Sequence, residues 1–424
     1  MNAAIMLTLI VLIALGVPVA ISLALASIIG IEAFTRLPLI LVAQRMLTGI
    51  DSFPLMAVPL FILAGNLMAA GGISRRLVDF ARALVGGIQG GLAASCVVTC
   101  MIFAAVSGSS VATTFAIGAI LIPAMVQHGY PAPTAAAVQA ASAELGVLIP
   151  PSIPLILYGV ATDTSIGQLF IAGFGPGILV AGSLIGFLLV YCRVKGYGNE
   201  DGAEREALGP AAVGASAALI MPVIVVGGIY AGVFTPTEAS GIAVFYSLVV
   251  GAFVYRELTW PKLRDVLRET AIATAVVMLI IAAASLFSFL LSRTGLPAMA
   301  TTWVEATFTS RFTFLLAVNA FLFLVGMFIE TAAAILVLAP ILVPIAIGFG
   351  VDPVHFGLIM VINLAMGMIT PPVGVNLFAA CAVARLPIER IVPALLPFFA
   401  VIVACVMAVT YLPWISLGLR DLLY

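Results

Sequence analysis

The chain has 424 residues, 63% of them hydrophobic and 8% charged, with a formal net charge of −1. Soluble domains carry about 25% charged residues, so a soluble core is excluded, and recurrent apolar runs of roughly 20 residues read as membrane-crossing helices. The charge balance leaves no basic footprint for nucleic acid, and the lipid bilayer is the expected surrounding.

In chain order, the first apolar run (Ala3 to Ile31) lacks a basic start and is too long for a secretory leader. It is read as one retained spanning helix over 4–30. Further spans are predicted over 53–70, 166–192, 211–233, 236–254 and 270–291, with a last apolar run at 391–416. Two stretches, ISRRLVDFARALVGG (73–87) and YRELTWPKLRDVLRET (255–270), place basic residues on apolar helices and are expected to lie on the membrane surface. Thr235, Pro236, Thr237 and Glu238 have the pattern of a helix start. Asn66, within FILAGNLM, is either a helix-packing hydrogen bond or a site residue. His128 and His355 fall at expected loop ends, where solvation is the simplest state. Cys96, Cys100, Cys192, Cys381 and Cys405 are expected as free thiols, and no His or carboxylate near Cys96 and Cys100 completes a metal site. No catalytic constellation of an enzyme is present.

The hydrophilic stretch GYGNEDGAEREALG (196–209) lies near mid-chain and divides it into halves, 1–195 and 211–424, with 196–210 as linker. A shift of 221 residues superposes Pro123 on Pro344, Gly129 on Gly350, Gly146 on Gly367, Pro150 and Pro151 on Pro371 and Pro372, and Pro176 on Pro397. One offset over more than fifty residues predicts two structural repeats. Repeats in transporters are often inverted across the membrane. If the segments before Pro123 and Pro344 are re-entrant hairpins, one face carries the N-terminus, 71–87, 193–209, 255–270 and 384–390. That face holds 12 of the 17 Lys and Arg residues, which marks it as cytoplasmic and the halves as inverted.

Each half contains a Pro-Pro pair inside an apolar segment, over 133–160 and 355–383. A proline within a helix removes a donor and clashes with the carbonyl one turn earlier. The freed carbonyls need a partner in a membrane interior. They suit a small cation, and the helix that restarts offers N–H groups to an anion; a simple kink is the plainer alternative. In the first hairpin, Ser107, Gly108, Ser109 and Ser110 form a polar tip between arms of about 15 residues, too short to span. Hydroxyls and carbonyls there are hard oxygen donors, although small residues also serve helix packing. The repeat partner of Ser109 is Glu330, followed by Thr331. An intramembrane carboxylate is by default a candidate functional group, or it pairs with a buried donor. Glu144, Ser152, Asn363, Thr370 and Asn376 are further polar residues in apolar context. Ser152 and Asn376 follow the two breaks closely.

SGSSVATT, ELGVLIPPSIPLILYG, GGIYAGVFTPTEAS and ITPPVGVNLF together resemble the large membrane subunit of the TRAP transporters, in the expected order and across essentially the whole chain. The resemblance implies an all-α polytopic membrane protein of the bacterial or archaeal inner membrane, built as an elevator with a scaffold and a transport domain (about 88–165 plus 309–384). It implies co-transported sodium ions at Ser107, Gly108, Ser109 and Ser110 with Pro150, Pro151 and Ser152, and at Glu330 and Thr331 with Thr370, Pro371, Pro372 and Gly374. Substrate would sit near Ser152 and Asn376. Family substrates are organic acids such as C4-dicarboxylates, sialic acid, sugar acids and keto acids. The implied partners are a small four-helix membrane subunit on a separate chain and a periplasmic substrate-binding protein. A free-standing sodium–carboxylate symporter of similar fold is the alternative.

Overall fold

The computed structural model describes residues 2–85, 87–199 and 207–423, and among them every regular element is helical. The first apolar run is two helices, α1 (Asn2–Ala14) and α2 (Val19–Phe34), packed against each other. The expected single span over 4–30 is therefore corrected. Gly16 takes a left-handed φ of 79°, and the Val17 and Gly16 N–H groups reach back to Leu12 and Ile13 carbonyls. This is a glycine helix stop, and Pro18 then precedes α2. Next come α3 (Ile40–Ile50) and a 3-10 turn (Phe53–Met56) that runs into α4 (Ala57–Ala70). In α5 (Ile73–Val85), Ile73, Leu77, Val78 and Ala81 form a buried face against α6 (Gly91–Ser107) and, later in the chain, α12 (Leu208–Tyr230).

After α6, α7 (Ser110–Gln127) turns back. The α8 (Ala132–Ala143) and α9 (Leu145–Leu148) helices lead to the first Pro-Pro pair, and α10 (Ile153–Thr162) restarts beyond it, bent by 40°. The 30-residue α11 (Ile166–Lys195) closes the first half. Residues 200–206 of the predicted linker and Gly86 of the predicted surface segment lie outside the described residues. The second half begins with α12. It is followed by α13 (Pro236–Val249), whose start is the predicted one: Thr235 and Glu238 form a reciprocal capping box. A π-helical turn, Val250–Val254, ends that span.

The surface segment 255–270 is not separate from the span at 270–291. From Trp260 onward both belong to α14 (Trp260–Arg293), one helix of 34 residues. At 1.5 Å per residue it is about 50 Å long, against a hydrocarbon core of about 30 Å, so Lys262, Arg264 and Arg268 occupy turns that extend past the apolar layer. Then follow α15 (Leu296–Thr307), α16 (Arg311–Gly326), α17 (Thr331–Gly348), α18 (Pro353–Met368), α19 (Val375–Ala384), α20 (Ile388–Tyr411) and α21 (Trp414–Leu423). The predicted last run, 391–416, is broken at Pro413, which carries α21 back to the core. There Arg420 Nη1 meets Asp352 Oδ2 at 2.8 Å.

Among the described residues eight helices are long and apolar enough to cross a membrane, or nine if the bent α8–α10 pair is one span. The chain is a multi-pass membrane protein. Helix boundaries recur at the predicted offset: 331 − 110, 348 − 127 and 353 − 132 are each 221, and Gly129 and Gly350 both have positive φ. Past the breaks the spacing is one longer (375 − 153 = 222). Both Pro-Pro bonds are cis. At the centre, every residue of α8 from Thr134 to Ala143 and of α18 from Val354 to Met368 is buried. Alanine dominates α8, so α6, α7, α19 and α20 approach it closely.

Candidate functional site

Two short turns define the site. In the first, α6 stops at Gly108 (φ 61°) and α7 begins with Ser109 as its N-cap, accepting from the Ala112 N–H at 3.3 Å. Thr113 Oγ1 donates to the Ser109 carbonyl at 2.8 Å and lies 3.1 Å from Ser107 Oγ. The Ser110 hydroxyl is buried without a partner. This tip rests on the first break: the Ile153 N–H donates to the Gly108 carbonyl at 3.2 Å. A Cβ on Gly108 would lie 2.9 Å from the Pro151 carbonyl, and one on Gly146 would lie 2.7 Å from the Ser109 carbonyl. Glycine at both places lets the tip backbone touch the broken helix.

In the second turn, Glu330 is the N-cap of α17. One carboxylate oxygen accepts from the Ala332 and Ala333 N–H groups at 3.1 and 3.3 Å. A carboxylate is favoured there by the helix dipole. Thr331 Oγ1 contacts the Met368 sulfur at 2.9 Å, and the Val373 N–H, inside the second break, donates to the Met327 carbonyl at 3.2 Å.

Both tips open on one cavity of about 300 Å³. Its walls include Ser107–Ser110, Phe115, Glu330, Thr331, Ala332 and Met368, with Val147, Ile153 and Pro154 from the first break. The remaining wall comes from α4 (Ile62, Gly65, Asn66) and α14 (Ala273, Val277). Asn66 lines the cavity and makes a helix-packing hydrogen bond, donating to Thr270 Oγ1 at 3.0 Å. Phe115, Met368 and the α14 wall carried no signal in the sequence, because apolar residues there look like any other lipid- or core-facing position.

Other candidates lie apart from this cavity. Ser152 is fully buried as the N-cap of α10, and its hydroxyl donates to the Val147 carbonyl at 2.6 Å. Pro150 and Pro151 are buried behind it. Thr370 donates to the Met366 carbonyl at 2.9 Å, and with Pro371 it borders a separate, smaller apolar cavity of about 90 Å³. Pro372 is exposed, and Gly374 caps α19 with φ 47°. Asn376 is fully buried, within hydrogen-bonding contact of Thr114 Oγ1 and 2.7 Å from Glu144 Oε1. Asn363 pairs with Asn319 at 2.6 Å.

His355 is not at a solvated loop end. It is fully buried in α18, with Nε2 3.3 Å from the Thr410 carbonyl and Nδ1 2.6 Å from Ser416 Oγ. The five cysteines are buried and outside any disulfide, and among the described residues no cluster of His, Cys, Asp or Glu has the makings of a metal site.

Residues 6–415 match the family model of the tripartite ATP-independent periplasmic transporter, DctM component. The chain is 41% identical over 429 residues to the C4-dicarboxylate TRAP transporter large permease protein DctM of Rhodobacter capsulatus, covering 98% of each chain. It is 36% identical to the sialic acid TRAP transporter large permease protein SiaM of Vibrio cholerae, over 96% of this chain and 95% of that one. It is 44% identical to the isethionate TRAP transporter permease protein DctMQ of Oleidesulfovibrio alaskensis, over 95% of this chain but only 64% of that longer protein. In fold it is similar to the Alcanivorax borkumensis YdaH transporter, with a TM-score of 0.63, 18% identity and 88% of each chain covered. With the family model matched over residues 6–415 and a relative 41% identical over 98% of each chain, this chain belongs to the DctM family of large membrane permease subunits of TRAP transporters.

Proposed function

We propose that this permease carries out sodium-coupled uptake of organic acid anions across the inner membrane. Its two halves are inverted repeats, and its transport domain (about 88–165 plus 309–384) moves as an elevator against a scaffold of 4–70 and 211–291. One observation carries the proposal: both hairpin tips converge on a cavity whose opposite wall is α4 and α14. Hydroxyl, carbonyl and carboxylate oxygens at Ser107–Ser110 and Glu330 are the hard donors a sodium ion requires. The N–H ends of α7 and α17 favour an anion beside it. C4-dicarboxylate, sialic acid and isethionate, named for the relatives, support carboxylates and sulfonates as the substrate class. Its partners are a periplasmic substrate-binding protein and a small membrane subunit on a separate chain; the longer DctMQ relative is consistent with a subunit that is elsewhere fused. The test is uptake into proteoliposomes of the assembled system. An inward sodium gradient should drive it, and equal uptake in potassium buffer with a proton gradient would exclude sodium coupling. Full uptake by this chain without either partner would favour a free-standing symporter.

A further inference from the structure

Outside the cavity, a second polar cluster joins the halves. Glu144, which ends α8, is 2% exposed. Its Oε1 lies 2.7 Å from the side-chain nitrogen of Asn376 on α19, while Oε2 has no partner. The other end of the Asn376 amide is in contact with Thr114 Oγ1 on α7, which also lies 3.0 Å from the Ser110 carbonyl at the first hairpin tip.

Counting hydrogens shows what this chain needs. With the amide nitrogen turned to Glu144, the single Thr114 hydroxyl hydrogen faces two acceptors, Asn376 Oδ1 and the Ser110 carbonyl. An ionised carboxylate then sits inside the protein with one oxygen unpartnered, an arrangement that burial disfavours. A half-turn of the amide places Oδ1 against Glu144 and Nδ2 against Thr114. These three contacts then each have one donor and one acceptor: Glu144 to Asn376, Asn376 to Thr114, Thr114 to Ser110; the cost is the weaker bond of the Asn376 nitrogen to the Ala140 carbonyl, 3.4 Å long, which the half-turn gives up. That order requires a hydrogen on the Glu144 carboxyl.

We propose that Glu144 is a proton-binding site, whose proton closes this hydrogen-bond chain and ties α8 and α19 to the hairpin helix α7. Deprotonation reverses the amide and releases the Ser110 carbonyl from Thr114. Among the described residues no Lys or Arg is ion-paired to Glu144 in place of the proton. The helices packed on α8 and α9 are α6, α7, α10, α11, α18, α19 and α20. Their titratable groups are the thiols of Cys96, Cys100, Cys192, Cys381 and Cys405, the phenols of Tyr158, Tyr191 and Tyr411, and His355. Arg193, Lys195, Glu389 and Arg390 add charges at helix ends. Among the described residues, the one side chain hydrogen-bonded to Glu144 is Asn376. The proposal does not depend on sodium coupling.

Infrared spectra of the purified full chain, with glutamate carboxyls isotope-labelled and Glu330→Gln as background, test it directly. At neutral pH a labelled carboxylic-acid carbonyl band should be present, should vanish at alkaline pH, and should be absent when Glu144→Gln is added. Only carboxylate bands at neutral pH would overturn the proposal, and this reading needs no functional variant at position 144. In transport, Glu144→Gln supplies a permanent N–H to Asn376 and should keep initial rates within about twofold of wild type. The wild type should lose rate at alkaline pH, and Glu144→Gln should remove that loss. Identical pH profiles for the two would likewise overturn it, and distinguish its failure from that of sodium-driven uptake.

Discussion

Gly367 of α18 and Gly326 at the end of α16 meet backbone to backbone. A Cβ on Gly367 would lie 2.3 Å from the Gly326 carbonyl carbon and 2.7 Å from the Met327 nitrogen. The second hairpin is thereby held against the helix that leads into the second break, as Gly146 allows for the first hairpin. Backbone atoms cannot rotate aside as a side chain does. Gly367→Ala should therefore cost roughly 3 kcal/mol, the upper range for overpacking, read as a lower melting temperature and poor recovery in detergent. Gly182→Ala is the control. Nothing lies within 4 Å of its Cβ, and in a helix the change should be neutral or stabilising by about 0.5–1 kcal/mol. Equal behaviour of the two variants would refute the close approach.

Glu330 separates a capping role from a charge role. Its carboxylate holds two N–H groups of α17. Glu330→Gln keeps an acceptor and should lower stability by less than about 1 kcal/mol, whereas Glu330→Ala removes the cap and should cost about 0.5–2 kcal/mol. If the charge also binds sodium, Glu330→Gln should weaken the sodium dependence of uptake by roughly tenfold or more, the scale of a charge-assisted contact of about 1.5–3 kcal/mol. An unaltered sodium dependence would leave Glu330 as a cap alone.

Ser109 and Ser110 are adjacent but should respond in opposite ways. Ser109 caps α7, so Ser109→Ala should destabilise by about 1 kcal/mol. The Ser110 hydroxyl is buried with no partner in the protein, so Ser110→Ala should leave melting unchanged or raise it. It should nonetheless weaken sodium activation if that hydroxyl is an ion ligand. Thermal denaturation and sodium titration of uptake on both variants decide this. A stability loss at Ser110 with normal sodium activation would make it a packing residue.

The parts of this architecture that were legible are those whose cause is local. Pro150–Pro151 and Pro371–Pro372 break helices wherever they occur, and Ser107–Ser110 and Glu330 stand out as polar against their flanks. Thr235–Glu238 start a helix by the reciprocal bonds their spacing allows. The glycine stop at Gly16 was equally local, but a run of apolar residues on both sides concealed it. The continuity of α14 was obscured because charge marks where a helix meets water, not where it ends. What could not be read were pairings between distant positions: Asn66 with Thr270, Asn376 with Glu144 and Thr114, His355 with Ser416. These partners lie 61 to 262 residues apart. Only the packing of helices brings them together, and a single sequence carries no trace of it.

The motion assigned to the transport domain is testable at Gly65 and Ser107. Gly65 belongs to α4 and Ser107 to the hairpin tip, so their contact crosses the boundary that an elevator must slide along. A Cβ at Gly65 would be 3.5 Å from the Ser107 Cβ, at the short edge of the roughly 3.5–4.5 Å that a disulfide spans. The pair Gly65→Cys and Ser107→Cys should therefore crosslink on mild oxidation, while the native thiols, all buried, should not react. Because Ser107 is itself a candidate ion ligand, the comparison is between oxidised and reduced forms of one double variant. Oxidation should arrest uptake, and reduction should restore it to the rate before oxidation. Each single variant should be indifferent to oxidant. If the crosslinked protein transports as fast as the reduced one, α4 and the first hairpin do not move past each other. Transport would then proceed by opening and closing of the tips around a site that stays in place.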